Sequence, residues 1–134
     1  MSWKIIDPPG AMLPIAPFVP GAAAADFVFT AGTGAVDPEG NVVHIGDIEG
    51  QTRYTLNLIE DVVETGGGTM ADIVFNSIFI KRWIDYDAMN NVYGEFFPVK
   101  PPPRYCIQVG LVLPDLLVEI QSVAYIGDSK NGGH

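Results

Sequence analysis

Two short apolar runs carry the groups most able to do chemistry. Arg104-Tyr105-Cys106-Ile107-Gln108 holds a guanidinium and a thiol, and Leu117-Val118-Glu119-Ile120 holds a carboxylate. The planar fork of Arg104 matches a carboxylate better than any other side chain, so it is a candidate clamp for a substrate acid, with a structural salt bridge as the alternative. Lys100-Pro101-Pro102-Pro103 precedes it, and prolines with fixed φ make a stiff lead-in. An ionised Glu119 among β-branched residues is costly to bury unpaired. It is therefore a candidate general acid or base if apolar surroundings raise its pKa, or else it pairs with Arg104 or faces water. Cys106 is the sole cysteine. A nucleophilic thiol wants a nearby base, and the chain has only His44 and His134, so a partly buried structural thiol is the simpler reading. The same scarcity leaves no metal-ligand spacing, and no metal is expected.

These residues need elements to place them. Trp3 to Ile6 reads as an edge strand, Pro14 to Gly21 as an ordered loop, and Phe27 to Gly32 as a strand. Asp37 to Asn41 is a turn signal leading into Val42-Val43-His44-Ile45, which together predict a hairpin. Leu56, Ile59 and Val63 recur at helical spacing between Ile48 and Thr65, and Gly66 to Gly68 stop the pattern. Ile73 to Ile80 reads as a strand. Residues 85–97 return to helical spacing through Met89, Val92, Tyr93 and Phe96, with Asp85 as the expected N-cap. Two more strands, Arg104 to Leu113 and Leu116 to Ile126, flank Pro114-Asp115. Helices set among strands, with a hairpin at each end, predict an α+β domain whose two helices cover one face of a mixed sheet. Something else, another subunit by this reading, must cover the other face. One domain is expected over residues 1–127, with 128–134 as a flexible, polar, Gly-rich tail. Asn90 and Asn91 sit in the second helix, where Asn is a poor helix former, so a hydrogen-bonding role competes with a solvated face.

Composition narrows the partners. With 7 basic against 16 acidic residues the net charge is −9, which repels phosphate backbones and anionic membranes, and Lys and Arg do not cluster. Nucleic acid and membrane partners are not expected. One cysteine excludes an intrachain disulfide framework and suits a reducing, cytoplasmic setting. A mean hydropathy of +0.23 points to more apolar surface than a lone small domain hides, hence to self-association. Gly32-Thr33-Gly34 and Gly66 to Gly68 lack both the Walker lysine and the dinucleotide fingerprint, so they read as turns.

Over residues 14–126 the chain resembles the Rid or YjgF-type enamine/imine deaminases, and within them the RutC-type 3-aminoacrylate branch of pyrimidine catabolism. The resemblance rests on Ala16-Pro17-Phe18-Val19-Pro20-Gly21, Gln51-Thr52-Arg53, Glu64 to Asp72, Asn76 to Ile80, Asn90 to Pro98, Arg104 to Val112 and Leu117 to Ile120. It implies a chorismate-mutase-like α+β fold assembled as a homotrimer, with active sites in clefts between subunits. It also implies that Arg104 binds the substrate carboxylate, that Glu119 positions or activates a water, and that Cys106, Phe18, Gly32 and Asn90 line the site, with no cofactor. Phe18 and Ala31 stand where the 2-aminoacrylate deaminases carry tyrosine and serine, which makes this pocket more apolar. The implied activity is hydrolysis of 3-aminoacrylate to malonic semialdehyde and ammonia. Its alternatives are deamination of a larger, aminomuconate-like enamine acid, or a non-catalytic trimeric module that binds small carboxylates.

Overall fold

The protein is described here by a computed structural model, which covers residues 2–11 and 16–130, without the side chain of residue 130. The strands are β1 (Lys4–Ile6), β2 (Gly21–Ala24), β3 (Phe27–Thr30) and β4 (Thr33–Gly34), followed by helix α1 (Ile48–Thr65). Then come β5 (Ile73–Ile80), α2 (Tyr86–Phe96), β6 (Arg104–Gln108), β7 (Val118–Tyr125) and a four-residue helix, α3 (Gly127–Lys130). One sheet contains all the strands in the order β1-β2-β3-β7-β5-β6, with β4 continuing beside β7 beyond β3. Among the described residues only β5 and β6 run parallel, so the sheet is mixed.

α1 has the boundaries its sequence predicts, because both ends are chemically marked. The Asp47 side chain accepts from the Gly50 amide at 2.9 Å, filling the N-cap role. At the other end Gly67 takes a left-handed φ of 102° while the amides of Gly66, Gly67 and Gly68 satisfy the last carbonyls. Leu56, Ile59, Val62 and Val63 of α1 join Met89 and Tyr93 of α2 over Val28, Ile78, Ile80, Val118, Ile120 and Ala124 of the sheet. Both helices therefore cover one face, as expected of an α+β domain with this pattern.

Several local expectations differ from the structure. The first hairpin is β2–β3, turning through Ala25-Asp26, so the expected loop ends at Pro20 and its last residue, Gly21, begins a strand. Residues 14 and 15 of that loop lie outside the described part. Val42 makes a single bridge to Val36, and His44, with a φ of 55°, cannot continue a strand. The last two strands form no hairpin: β6 ends at Gln108 and lies on one side of β5 while β7 lies on the other. A connection of nine residues between them allows that crossover, and Gln51 of α1 fixes it, donating to the Asp115 carbonyl at 2.9 Å and accepting from the Leu117 amide at 2.8 Å. Asp85 does sit before α2, but its carboxylate takes the Arg82 guanidinium at 3.0 Å instead of the helix amides. Beyond β7, Ser129 donates to Asp72 at 2.6 Å, so the segment expected as a tail begins with an anchored turn. Residues 131–134 lie outside the described part.

The opposite face of the sheet carries Ile5, Phe27, Phe29, Tyr105, Ile107 and Tyr125, each between 38% and 59% exposed. Cross-strand pairing makes them continuous: Ile5 faces Ala22, Ala22 faces Phe29, and Phe29 faces Val123, which in turn faces Phe75. Phe75 and Phe79 both meet the Tyr105 ring edge-on. Nothing among the described residues covers this face.

Candidate active site

Arg104 opens β6, the edge strand. The Pro103 carbonyl accepts from the Asn76 amide at 3.2 Å and docks the proline lead-in directly onto β5. Arg104 then pairs with Asn76, a fully buried residue of the helical face, and its side chain crosses to α2. There one terminal nitrogen donates to the Asn90 carbonyl oxygen at 2.7 Å and to the Tyr86 hydroxyl at 3.1 Å. The guanidinium carbon lies 4.8 Å from the centre of the Tyr93 ring and 5.8 Å from that of Tyr86. No carboxylate pairs with it among the described residues. The cation is thus held by neutral groups and keeps its full charge for a ligand.

Beneath it runs a buried polar chain. The Asn76 amide donates to the Tyr93 hydroxyl at 2.9 Å, the Ser122 hydroxyl donates to the Asn76 carbonyl oxygen at 2.5 Å, and the Ser122 amide donates to the Thr30 hydroxyl at 3.0 Å. Each member therefore has a partner, as buried polar groups require. The chain fixes the Tyr93 ring, which in turn fixes the guanidinium.

Cys106, two residues along β6, is half-buried on the same side. Burial raises its thiol pKa above the usual value, and the nearby Arg104 charge only partly opposes this. The thiol is protonated at neutral pH, which disfavours a nucleophilic role. Because the Pro103 carbonyl and the Val109 amide both bond toward β5, the two-residue period turns the backbone N–H and C=O of Arg104, Cys106 and Gln108 away from the sheet.

Glu119 is on the other face. Val118 and Ile120 point into the core, so Glu119 between them projects onto the apolar side, opposite Phe79 and Gly34. No hydrogen bond or ion pair engages it among the described residues, and burial alone raises its pKa above the usual carboxylate value. Gly32 lies against it: a β-carbon there would come within 2.5 Å of Glu119 Oε2, so any side chain at this position would push the carboxylate aside. Phe18, 44% exposed, lies on a loop that the Ala31 amide ties down by donating to the Pro20 carbonyl at 2.8 Å.

The expected residues therefore form two groups. Arg104, Cys106 and Asn90 gather on the helical side of the β6 edge, and Glu119 and Gly32 meet on the apolar side beside β7, with the Phe18 loop tied to the adjacent Ala31. The register separates Arg104 from Glu119 by two strand spacings, roughly 10 Å, and by three residues along the strands, roughly another 10 Å. A salt bridge between them, one of the expected alternatives, does not exist. Tyr86, Tyr93 and Asn76 were not singled out by sequence reading; the aromatic residues of α2 read there as core, and only the paired asparagines signalled a polar role. A separate depression lined by His44, Asp47, Arg53 and Tyr54 at the start of α1 contains none of the expected residues.

Residues 9–126 match the sequence profile of the endoribonuclease L-PSP family. The fold is similar to that of TdcF from Escherichia coli, solved with bound serine, at 32% identity, with 91% of this chain and 98% of that one covered and a TM-score of 0.83. It is similar to the E. coli YjgF gene product at 29% identity, covering 91% and 98%, with a TM-score of 0.83. The Rid family protein YyfA from Yersinia pestis is 28% identical, with 93% and 100% covered and a TM-score of 0.85.

Proposed function

This chain belongs to the endoribonuclease L-PSP family, which is the YjgF or Rid family, and on that premise we propose that it hydrolyses small enamine or imine carboxylic acids. The observation that carries the reading is Arg104: an uncompensated guanidinium, fixed by Asn90, Tyr86 and Tyr93, at a strand edge whose outward backbone groups include those of Cys106. Such a site receives a carboxylate and offers a donor and an acceptor to a neighbouring polar atom. The TdcF structure with bound serine shows that a relative of this fold accommodates a small amino acid.

The separation of Arg104 from Glu119 within one chain is met by association. Three copies, each laying its apolar sheet face against the next, would cover Phe29, Tyr105 and Tyr125 and bring the Glu119 side of one subunit to the Arg104 edge of its neighbour. In that cleft Arg104 holds the acid while the enamine tautomerises to the imine. Glu119 orients a water and takes its proton as the oxygen bonds to the imine carbon. That proton passes to nitrogen, giving a carbinolamine; the new hydroxyl then gives up its proton, relayed by Glu119 to the same nitrogen, as the carbon–nitrogen bond breaks, so ammonia leaves and the carbonyl forms. A carboxyl whose pKa is raised by burial suits both halves of that exchange. For 3-aminoacrylate the products are malonic semialdehyde and ammonia. The chemistry needs no cofactor. Phe18 and Ala31 leave the pocket apolar enough for a larger enamine acid, the second candidate substrate.

RNA cleavage, which the family's name suggests, has less behind it: the net charge is −9 and no basic track accompanies Arg104. The test is ammonia release from 3-aminoacrylate and 2-aminoacrylate, each generated in situ. Faster release from 3-aminoacrylate by the wild type, lost in Arg104→Ala and Glu119→Ala, is the expected result. No acceleration with either substrate would overturn the small-enamine reading in favour of a larger acid or a binding module.

A further inference from the structure

The Tyr86 hydroxyl stands in an unusual position. It accepts from Arg104 at 3.1 Å, which leaves its own proton to be donated, and no acceptor takes that proton among the described residues. Tyr86 is half-buried, the first residue of α2, and its ring rests edge-on against Trp83, so the phenol oxygen is held at the cation instead of sweeping through solvent. A hydroxyl that receives a hydrogen bond from a guanidinium is polarised toward donating. The group closest to a spare phenolic proton is thus the very cation that would bring an anion to it.

We propose that Tyr86 is a substrate-binding residue: its hydroxyl donates to a carboxylate oxygen of the ligand held by Arg104. The inference rests on the reading of Arg104 as the carboxylate receptor and adds a second donor from α2 to that receptor. Asn90 and Tyr86 share one terminal nitrogen of the guanidinium, so the remaining nitrogens of Arg104 are left for the ligand, with the phenol hydrogen-bonded to the same cation. One carboxylate oxygen meets the cation and the other meets the phenol. The Tyr93 hydroxyl differs by its burial: Tyr93 is buried, its oxygen accepting from Asn76 in the polar chain beneath the guanidinium, whereas Tyr86 is half-buried and accessible to a ligand. A ligand with a neutral amide in place of the acid gains little from this pair, so Tyr86 sharpens selection for acids.

The test uses the intact protein with propionate, an unreactive acid of the same carbon count as 3-aminoacrylate, and propionamide as its neutral counterpart. Tyr86→Phe keeps the ring and its contact with Trp83. It should weaken propionate binding about ten-fold or more, the weight of one hydrogen bond to a charged group, and leave propionamide unchanged. Asn90→Ala frees the same guanidinium nitrogen without removing a donor to the ligand and should cost less. With a turned-over enamine acid, Tyr86→Phe should raise KM by a similar factor and leave kcat within about two-fold. Unchanged propionate affinity in Tyr86→Phe, equal losses in Tyr86→Phe and Asn90→Ala, or no propionate binding by the wild type would each overturn the proposal. If the wild type deaminates no enamine acid yet Tyr86→Phe loses propionate, the deaminase reading fails and Tyr86 keeps its role. If turnover is present and Tyr86→Phe is unaffected, Tyr86 fails and the deaminase reading stands.

Discussion

The two faces of the sheet treat their polar groups in opposite ways. On the helical face Arg104, Asn90, Tyr86, Tyr93, Asn76, Ser122 and Thr30 form a connected set in which each group has a partner, and Arg104 is held without a counter-charge. On the apolar face Glu119 stands among Phe79, Ile107 and Gly32 with no partner among the described residues, and burial raises its pKa. The first is a finished receptor. In the reading proposed above the second is half of a site, an ionisable group amid exposed aromatic side chains that another copy's surface would complete.

The largest effect should come from removing that arriving surface. Phe29→Asp places a charge in the centre of the apolar face, and like charges from neighbouring copies would meet there; light scattering should show the assembly replaced by monomers, with activity lost throughout. Full activity from a monomeric Phe29→Asp would mean that each chain works alone. Next come the two halves separately. Glu119→Gln should lower kcat by about 10²- to 10⁴-fold with little change in KM, the weight of a general base. Arg104→Ala should lower kcat/KM by roughly a hundred-fold and abolish binding of a non-reacting acid. Identical binding losses in both variants, measured by titration with propionate, would erase the distinction between a receptor and a chemical half. Cys106→Ala should change kcat by less than about ten-fold, since its thiol is protonated and partly buried.

The smallest effect concerns stability. Burial raises the Glu119 pKa in the folded chain above the reference value of 4.5, so the folded state holds that proton more tightly than the unfolded one. Stability is therefore lost as pH rises from about 4.5 through the folded pKa, and the penalty is complete above it. Glu119→Gln removes the penalty. The variant should melt on the order of a few degrees higher than wild type at pH 8 and lose that advantage by pH 4. An advantage that persists at pH 4 would show that ionisation is not its cause.

Sequence reading singled out Arg104 and Glu119 as candidates for a physical reason: charged groups inside otherwise apolar strand-like runs are costly, so they stand out. The boundaries of α1 were equally legible, because Asp47 and the glycines after Thr65 mark its ends chemically. Less legible was the relation between elements. Which strand β6 pairs with depends on a nine-residue connection and on Gln51 reaching across from α1, and local composition says nothing of either. Without that pairing, the placement of Arg104 and Glu119 on opposite faces could not be read, since strand parity has meaning only once register is known. Tyr93 was hidden because an aromatic residue at helical spacing reads as core, and Tyr86 because it lies outside that spacing at the helix's first position; their hydroxyl partners come from other elements. β2 was missed because its residues, Gly21 to Ala24, have poor strand propensity and pair only through their neighbours β1 and β3.

The central claim is that each active site takes Arg104 from one subunit and Glu119 from another. It is tested most directly by mixing the inactive variants Arg104→Ala and Glu119→Gln in equal amounts, dissociating and reassembling them, and measuring ammonia release. Random assembly gives about a quarter of the clefts both native groups, so the mixture should recover roughly a quarter of wild-type activity. A reassembled mixture as inactive as its two parents would contradict the claim.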